Sequence, residues 1–156
     1  LFQAIKTFMK LDFHRKLLFI EAFIFLAIAR TLKLFPFATV SKWLGEQHVE
    51  SAFCHSKKTN QLVDDIALAI EVMSRYTFWE SKCLVQAIAA MKMLERRRVS
   101  STLYLGVMRE KQGKMAAHAW LRSGSYYVSG ADEMERYTVV QTFSKQIIVK
   151  ESRRGV

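Results

Sequence analysis

Residues 83–107 read CLVQAIAAMKMLERRRVSSTLYLGV, and the periodicity of the chain changes inside them. Leu84, Ala87, Ile88, Met91 and Leu94 recur every three or four positions, which puts their apolar side chains on one face of a helix. Arg96, Arg97 and Arg98 end that pattern with cations, which suit the negative end of a helix dipole. Beyond Val99 the composition turns β-branched and aromatic, so the helix is expected to lead into a strand. Thr102 to Met108, Met115 to Arg122, Ser125 to Ser129 and Thr138 to Val149 all have strand character, with turns at Gln112-Gly113 and Ser123-Gly124. Helices first and hairpin-connected strands afterwards make an α+β fold, with the Cys83 helix packed on an antiparallel sheet.

Upstream, Ile66, Ala67, Ile70, Val72 and Met73 keep helical spacing and predict a helix that stops near Tyr76. The Cys83 helix starts either with Thr77 and Glu80 as a capping box or with Ser81 as the cap. The second choice sets Cys83 in the first turn, where unpaired amides and the helix dipole act on a thiolate. Residues 46–61 are polar and read as a surface connection, while Thr39 or Ser41 caps a short turn through Trp43 and Leu44 that Gly45 ends. From Leu17 to Leu34 the chain is strongly apolar, but Glu21 and Arg30 interrupt it and Pro36 closes it. Its longest uncharged stretch, Ala22 to Ala29, falls far short of the roughly 20 residues a spanning helix needs. This predicts a soluble helix whose apolar residues cover more than one face, buried in the domain or against a partner. Membrane contact, helped by Arg15, Lys16 and Lys33, is then peripheral at most.

With 156 residues, 51% of them hydrophobic, the chain can bury a core within one domain. A net charge of +10 predicts acidic partners, whether peptide, nucleic acid or anionic lipid. No recognition helix or base-stacking motif accompanies that charge, so nucleic acid is not expected. Two cysteines and no secretory signal pattern argue against a disulfide scaffold and for a reducing cytoplasm.

Cys83 at a helix start and His118 in a strand are the residues with chemistry to offer. A thiolate is the useful nucleophile, and an imidazole near neutrality is the natural base for it. The plainer readings are a small buried cysteine and a satisfied sheet histidine. Trp79 and Trp120 flank the pair and are candidates to line a substrate cleft, or to pack the core. The amide of Cys83 is a natural oxyanion donor. Cys54-His55 lacks chelating spacing and His14 and His48 are scattered, so neither a metal nor another cofactor is expected.

The order of Cys83-Leu84-Val85-Gln86-Ala87, Leu94-Glu95-Arg96-Arg97-Arg98, Thr102-Leu103-Tyr104-Leu105-Gly106-Val107 and His118-Ala119-Trp120-Leu121 resembles the leader peptidases of lasso-peptide biosynthesis. Arg15-Lys16-Leu17-Leu18-Phe19-Ile20-Glu21-Ala22 is similar to the helical N-terminal region of the stand-alone form of that peptidase. The resemblance implies a helical region over residues 1–50 and a papain/transglutaminase-like core over 51–156, forming one compact unit. It also implies a cysteine peptidase that removes the leader from a ribosomally made lasso precursor, with Cys83 as nucleophile and His118 as base. An acid usually follows the histidine strand in that family. The aligned position reads Val128-Ser129-Gly130, which leaves Asp132, Glu133, Glu135 or a backbone carbonyl to orient the ring. The implied partners are the precursor leader, a small winged-helix leader-recognition protein and the ATP-dependent lasso cyclase. Arg96, Arg97, Arg98, Arg153 and Arg154 are either solvated charge or a dock for an acidic leader. Acyl transfer to an amine and a non-enzymatic basic interaction module are the rival readings.

Overall fold

The computed structural model describes residues 12–111 and 113–147; Gln112, the expected strand end at 148–149, Arg153 and Arg154 lie outside them. Asp12 caps the first helix, α1 (Phe13–Leu32), by accepting from the amide of His14 at 3.3 Å. Leu18, Phe19, Ala22, Leu26 and Ala29 are its buried residues and recur at helical spacing. Pro36 ends the turn that follows and caps α2 (Phe37–Ser41), so this short helix starts ahead of the expected Thr39 or Ser41. Gly45 has φ of +110° and sits so close to the backbone of Ser144 that no side chain fits there. That approach starts β1 (Glu46–Gln47), two residues that pair with the last strand at the start of the expected surface connection.

Ser56 caps α3 (Lys57–Ser74) through a bond from the Thr59 amide to its hydroxyl. The helix therefore begins well before the apolar pattern that announces it. Next comes α4 (Cys83–Arg96), with Val85, Ala87, Ile88, Ala89, Ala90, Met91, Met93 and Leu94 all buried. That is more than the single stripe expected, because α4 packs on α1 and α3 as well as on the sheet. Its three alanines let those neighbours approach closely. Then follow β2 (Ser101–Arg109), β3 (Met115–Ser123), β4 (Tyr126–Ser129), a 3-10 turn (Met134–Arg136) and β5 (Thr138–Lys145). The sheet order is β1-β5-β2-β3-β4 and every neighbouring pair is antiparallel, so the fold is α+β.

The sheet has two unlike faces. Leu103, Ala119, Leu121, Val128 and Phe143 join the helices in one apolar core. On the other face, Tyr104 and Trp120 stack at 5.6 Å, with Arg122 behind them at 2% exposure. Arg122 donates to the carbonyls of Ser51 and Gly124, to the phenol of Tyr104 and to Glu50. Burial and the bond it donates to Glu50 push the Tyr104 phenol up to about 12, so it stays protonated. One guanidinium thus pins residues 50–52 across the sheet. Replacing Arg122 by Met leaves those acceptors unpaired and is expected to cost about 3 kcal/mol in urea denaturation. A loss under about 1 kcal/mol, the worth of an ordinary surface pair, would show that the network carries little.

Candidate active site

Cys83 is the first residue of α4, half-buried, and packed against the core together with Trp79. Neither expected cap forms. The hydroxyl of Thr77 lies 2.9 Å from that of Ser81, Glu80 pairs with Lys82, and the N-cap is Lys82 with no side-chain cap bond. The start of α4 is therefore left without the side-chain oxygen that caps α1 and α3. Amides left free at a helix start favour an oxyanion or thiolate there. Gln86 holds the entry to the helix by donating to the Ser81 carbonyl at 2.8 Å.

His118 lies on β3 with its Nε2 2.8 Å from the carbonyl oxygen of Gly130. A carbonyl only accepts, so Nε2 carries the proton and Nδ1 keeps the basic lone pair in the neutral ring. Gly130 has φ of +71° and abuts the Ala119 carbonyl, a position that only glycine fills easily. The ring is also held between Trp120, 5.8 Å away, and Tyr137, 5.0 Å away. Space for these two comes from Gly106, opposite His118 on β2, where a side chain would strike both. Asp132, Glu133 and Glu135 are exposed, and none of them bonds the ring.

Chain geometry sets Cys83 and His118 at one end of the molecule. Glu95, near the far end of α4, pairs with Lys145, and Lys145 lies opposite Ser101 at the start of β2. From there α4 runs back about 20 Å, the same length as the six strand steps from Ser101 to Val107. Val107 faces Ala117, so the thiol is level with the start of β3. Strand alternation, however, turns His118 to the Trp120 face while Ala119 turns towards α4. The pair shares an end of the fold with no hydrogen bond between thiol and ring among the described residues.

The tryptophans have different settings. Trp79 packs on Phe23 at 5.2 Å and on Phe78 at 4.5 Å beside the Cys83 helix. Its indole N–H is buried with no hydrogen-bond partner among the described residues. Trp120 is 5% exposed and forms the floor under the imidazole. The sequence leaves a backbone carbonyl open as the orienting group without singling out that of Gly130, and it does not point to Tyr137 or Gly106. The only signal for them was that glycines stand opposite and beyond the histidine strand. Cys54 is exposed and its neighbour His55 bonds Ser123 at 3.0 Å. Among the described residues no three His, Cys, Asp or Glu side chains gather to hold a metal, and no helix is long and apolar enough to cross a membrane.

Residues 31–142 match the family model of the transglutaminase-like superfamily, a span that includes Cys83, His118 and Gly130. No curated protein and no solved structure gives a significant match. The geometry around Gly130 predicts that, whenever the ring is neutral, side-chain ¹⁵N shifts of His118 report the Nε2–H tautomer in both the wild type and Asp132→Asn. A change of tautomer in Asp132→Asn would instead tie the ring to that carboxylate.

Proposed function

The chain belongs to the transglutaminase-like superfamily, and from that premise we propose that it is a cysteine peptidase that frees a lasso-peptide precursor of its leader. The observation that carries the reading is the uncapped start of α4 at Cys83, at the same end of the fold as an imidazole whose Nδ1 is left basic. Cys83 attacks the scissile carbonyl and the oxyanion meets the first-turn amides. His118 takes the thiol proton and returns it to the leaving amine, and water then releases the acyl group. The Gly130 carbonyl holds the ring for this transfer, and Asp132 stays outside the proton path. Trp79 and Trp120 shape the cleft as walls behind the two reacting groups. The step requires the imidazole, which lies on the sheet face turned away from α4, to come round to the thiol as substrate binds. A reducing cytoplasm, which keeps the thiol free, is the compartment this chemistry suits.

The same reading includes the precursor leader, a small winged-helix recognition protein and the ATP-dependent cyclase as partners. An apolar surface left exposed by the described residues supports a protein contact: Phe13, Leu17, Ile20, Ile24 and Ile28 form one stripe along α1, each between 44% and 73% exposed. Five large apolar side chains in a row on the solvent side of a helix are the signature of an interaction face.

The test is mass spectrometry of a lasso precursor incubated with the chain and its recognition protein. Leader release by the wild type, with none by Cys83→Ala or His118→Ala, is the expected result. Release by Cys83→Ala would sink the nucleophile assignment, and an amine adduct in place of hydrolysis would make the enzyme an acyl transferase. Ile24→Asp is expected to weaken co-elution with the recognition protein by about ten-fold while leaving Cys83 reactive to iodoacetamide. Undiminished co-elution would remove the stripe from that interface.

A further inference from the structure

A cavity of about 610 Å³ opens at the other end of α4, away from Cys83. Its wall includes the first turn of α3, the corner between α4 and β2, and the ends of neighbouring segments. The charge in it is uneven. Lys58, Arg97 and Arg98 line it, against the single carboxylate of Asp65, while burial lowers the His55 imidazole towards its neutral form. Arg97 is committed to Glu21, and Asp65 stands 3.9 Å from Arg15. Lys58 and Arg98 have no carboxylate partner among the described residues. Arg98 is held on the rim by a left-handed backbone, φ 56°. The amide end of α3 adds its positive dipole to the same wall.

We infer that this cavity is a docking site for an acidic peptide segment, in which Lys58 and Arg98 pair with one or two carboxylates. Free cations converging on a concave wall focus a positive field and favour an anionic ligand. The volume exceeds what a single small oxyanion fills and suits a few side chains of a peptide. From Cys83 to the end of α4 is about 20 Å, the reach of about six residues of extended chain. On the peptidase reading, on which this spacing alone rests, the substrate carries its acidic residues about six positions from the scissile bond.

The binding is tested without chemistry, on the full chain carrying Cys83→Ala. The probe is a fluorescein-labelled decapeptide of glycine and serine with a central Asp-Glu pair, followed by anisotropy at about 0.1 M salt, where distant charges are screened. The Asn-Gln counterpart and Lys58→Gln/Arg98→Gln are each expected to bind at least about ten-fold more weakly, against less than about two-fold for Lys33→Gln/Lys42→Gln, which removes the same charge elsewhere. Equal losses in the two double variants would reduce the effect to net charge and overturn the site. So would absence of binding to the acidic peptide. Inorganic phosphate that binds more tightly than the peptide would make the ligand a free oxyanion and overturn the peptide assignment. Because Cys83 is absent from the binding assay, failure here leaves the peptidase reading standing. Failed cleavage likewise leaves the cavity standing.

Discussion

The fold depends on the double-sided burial of α4. Eight of its fourteen residues are buried, and they point both to the sheet and to α1 and α3. A helix in that position cannot slide or rotate without exposing core on one side or colliding on the other. Its start is then fixed relative to the strands, with the thiol at the end where β2 turns into β3. The bond from the Val99 amide to the Leu94 carbonyl turns the chain straight from the helix into β2 and keeps this register.

Charge is managed by the same economy of contacts. The chain has many more bases than acids, and the half-buried Glu21 and Glu95, like the more exposed Glu50, are each shared. Glu21 meets Arg96 and Arg97, while Glu95 meets Lys92 and Lys145. Glu50 takes Arg122 and the Tyr104 hydroxyl. Burial alone would raise the Glu95 carboxyl, but hydrogen bonds from Lys92 and Lys145 outweigh it and hold it below the ordinary carboxylate range. These clasps tie α4 to α1 and to β5, and one pins the loop ahead of α3 to the sheet. Glu21, Glu50 and Glu95 are thereby used in holding the fold, while the exposed Asp132 and Glu135 enter no ion pair among the described residues.

The helix from Cys83 and the strands after it were legible because their apolar periodicity is long and changes abruptly near Val99. Lys57 to Gln61 was not legible as helix, because a first turn facing water has no apolar repeat and only Ser56 marks it. β1 is two residues long and exists through its partner alone. The candidate nucleophile and base could be named from residue type and setting. What orients the base could not, because a carbonyl oxygen belongs to every residue and only the folded chain brings that of Gly130 to the ring. The anchorage of Arg122 was hidden for the same reason: its acceptors come from residues 50–52 and 104 as well as from neighbouring Gly124. Even the sheet face on which His118 lies follows from which of its neighbours reach the core.

The stacking of Trp120 on His118 has an optical consequence. An imidazolium in contact with an indole quenches its fluorescence more strongly than the neutral ring does. Trp120 is buried at 5.8 Å from that ring, whereas Trp43 is exposed and Trp79 packs on phenylalanines. The emission of one buried tryptophan therefore carries a built-in signal of the protonation state of the candidate base, readable without label or substrate.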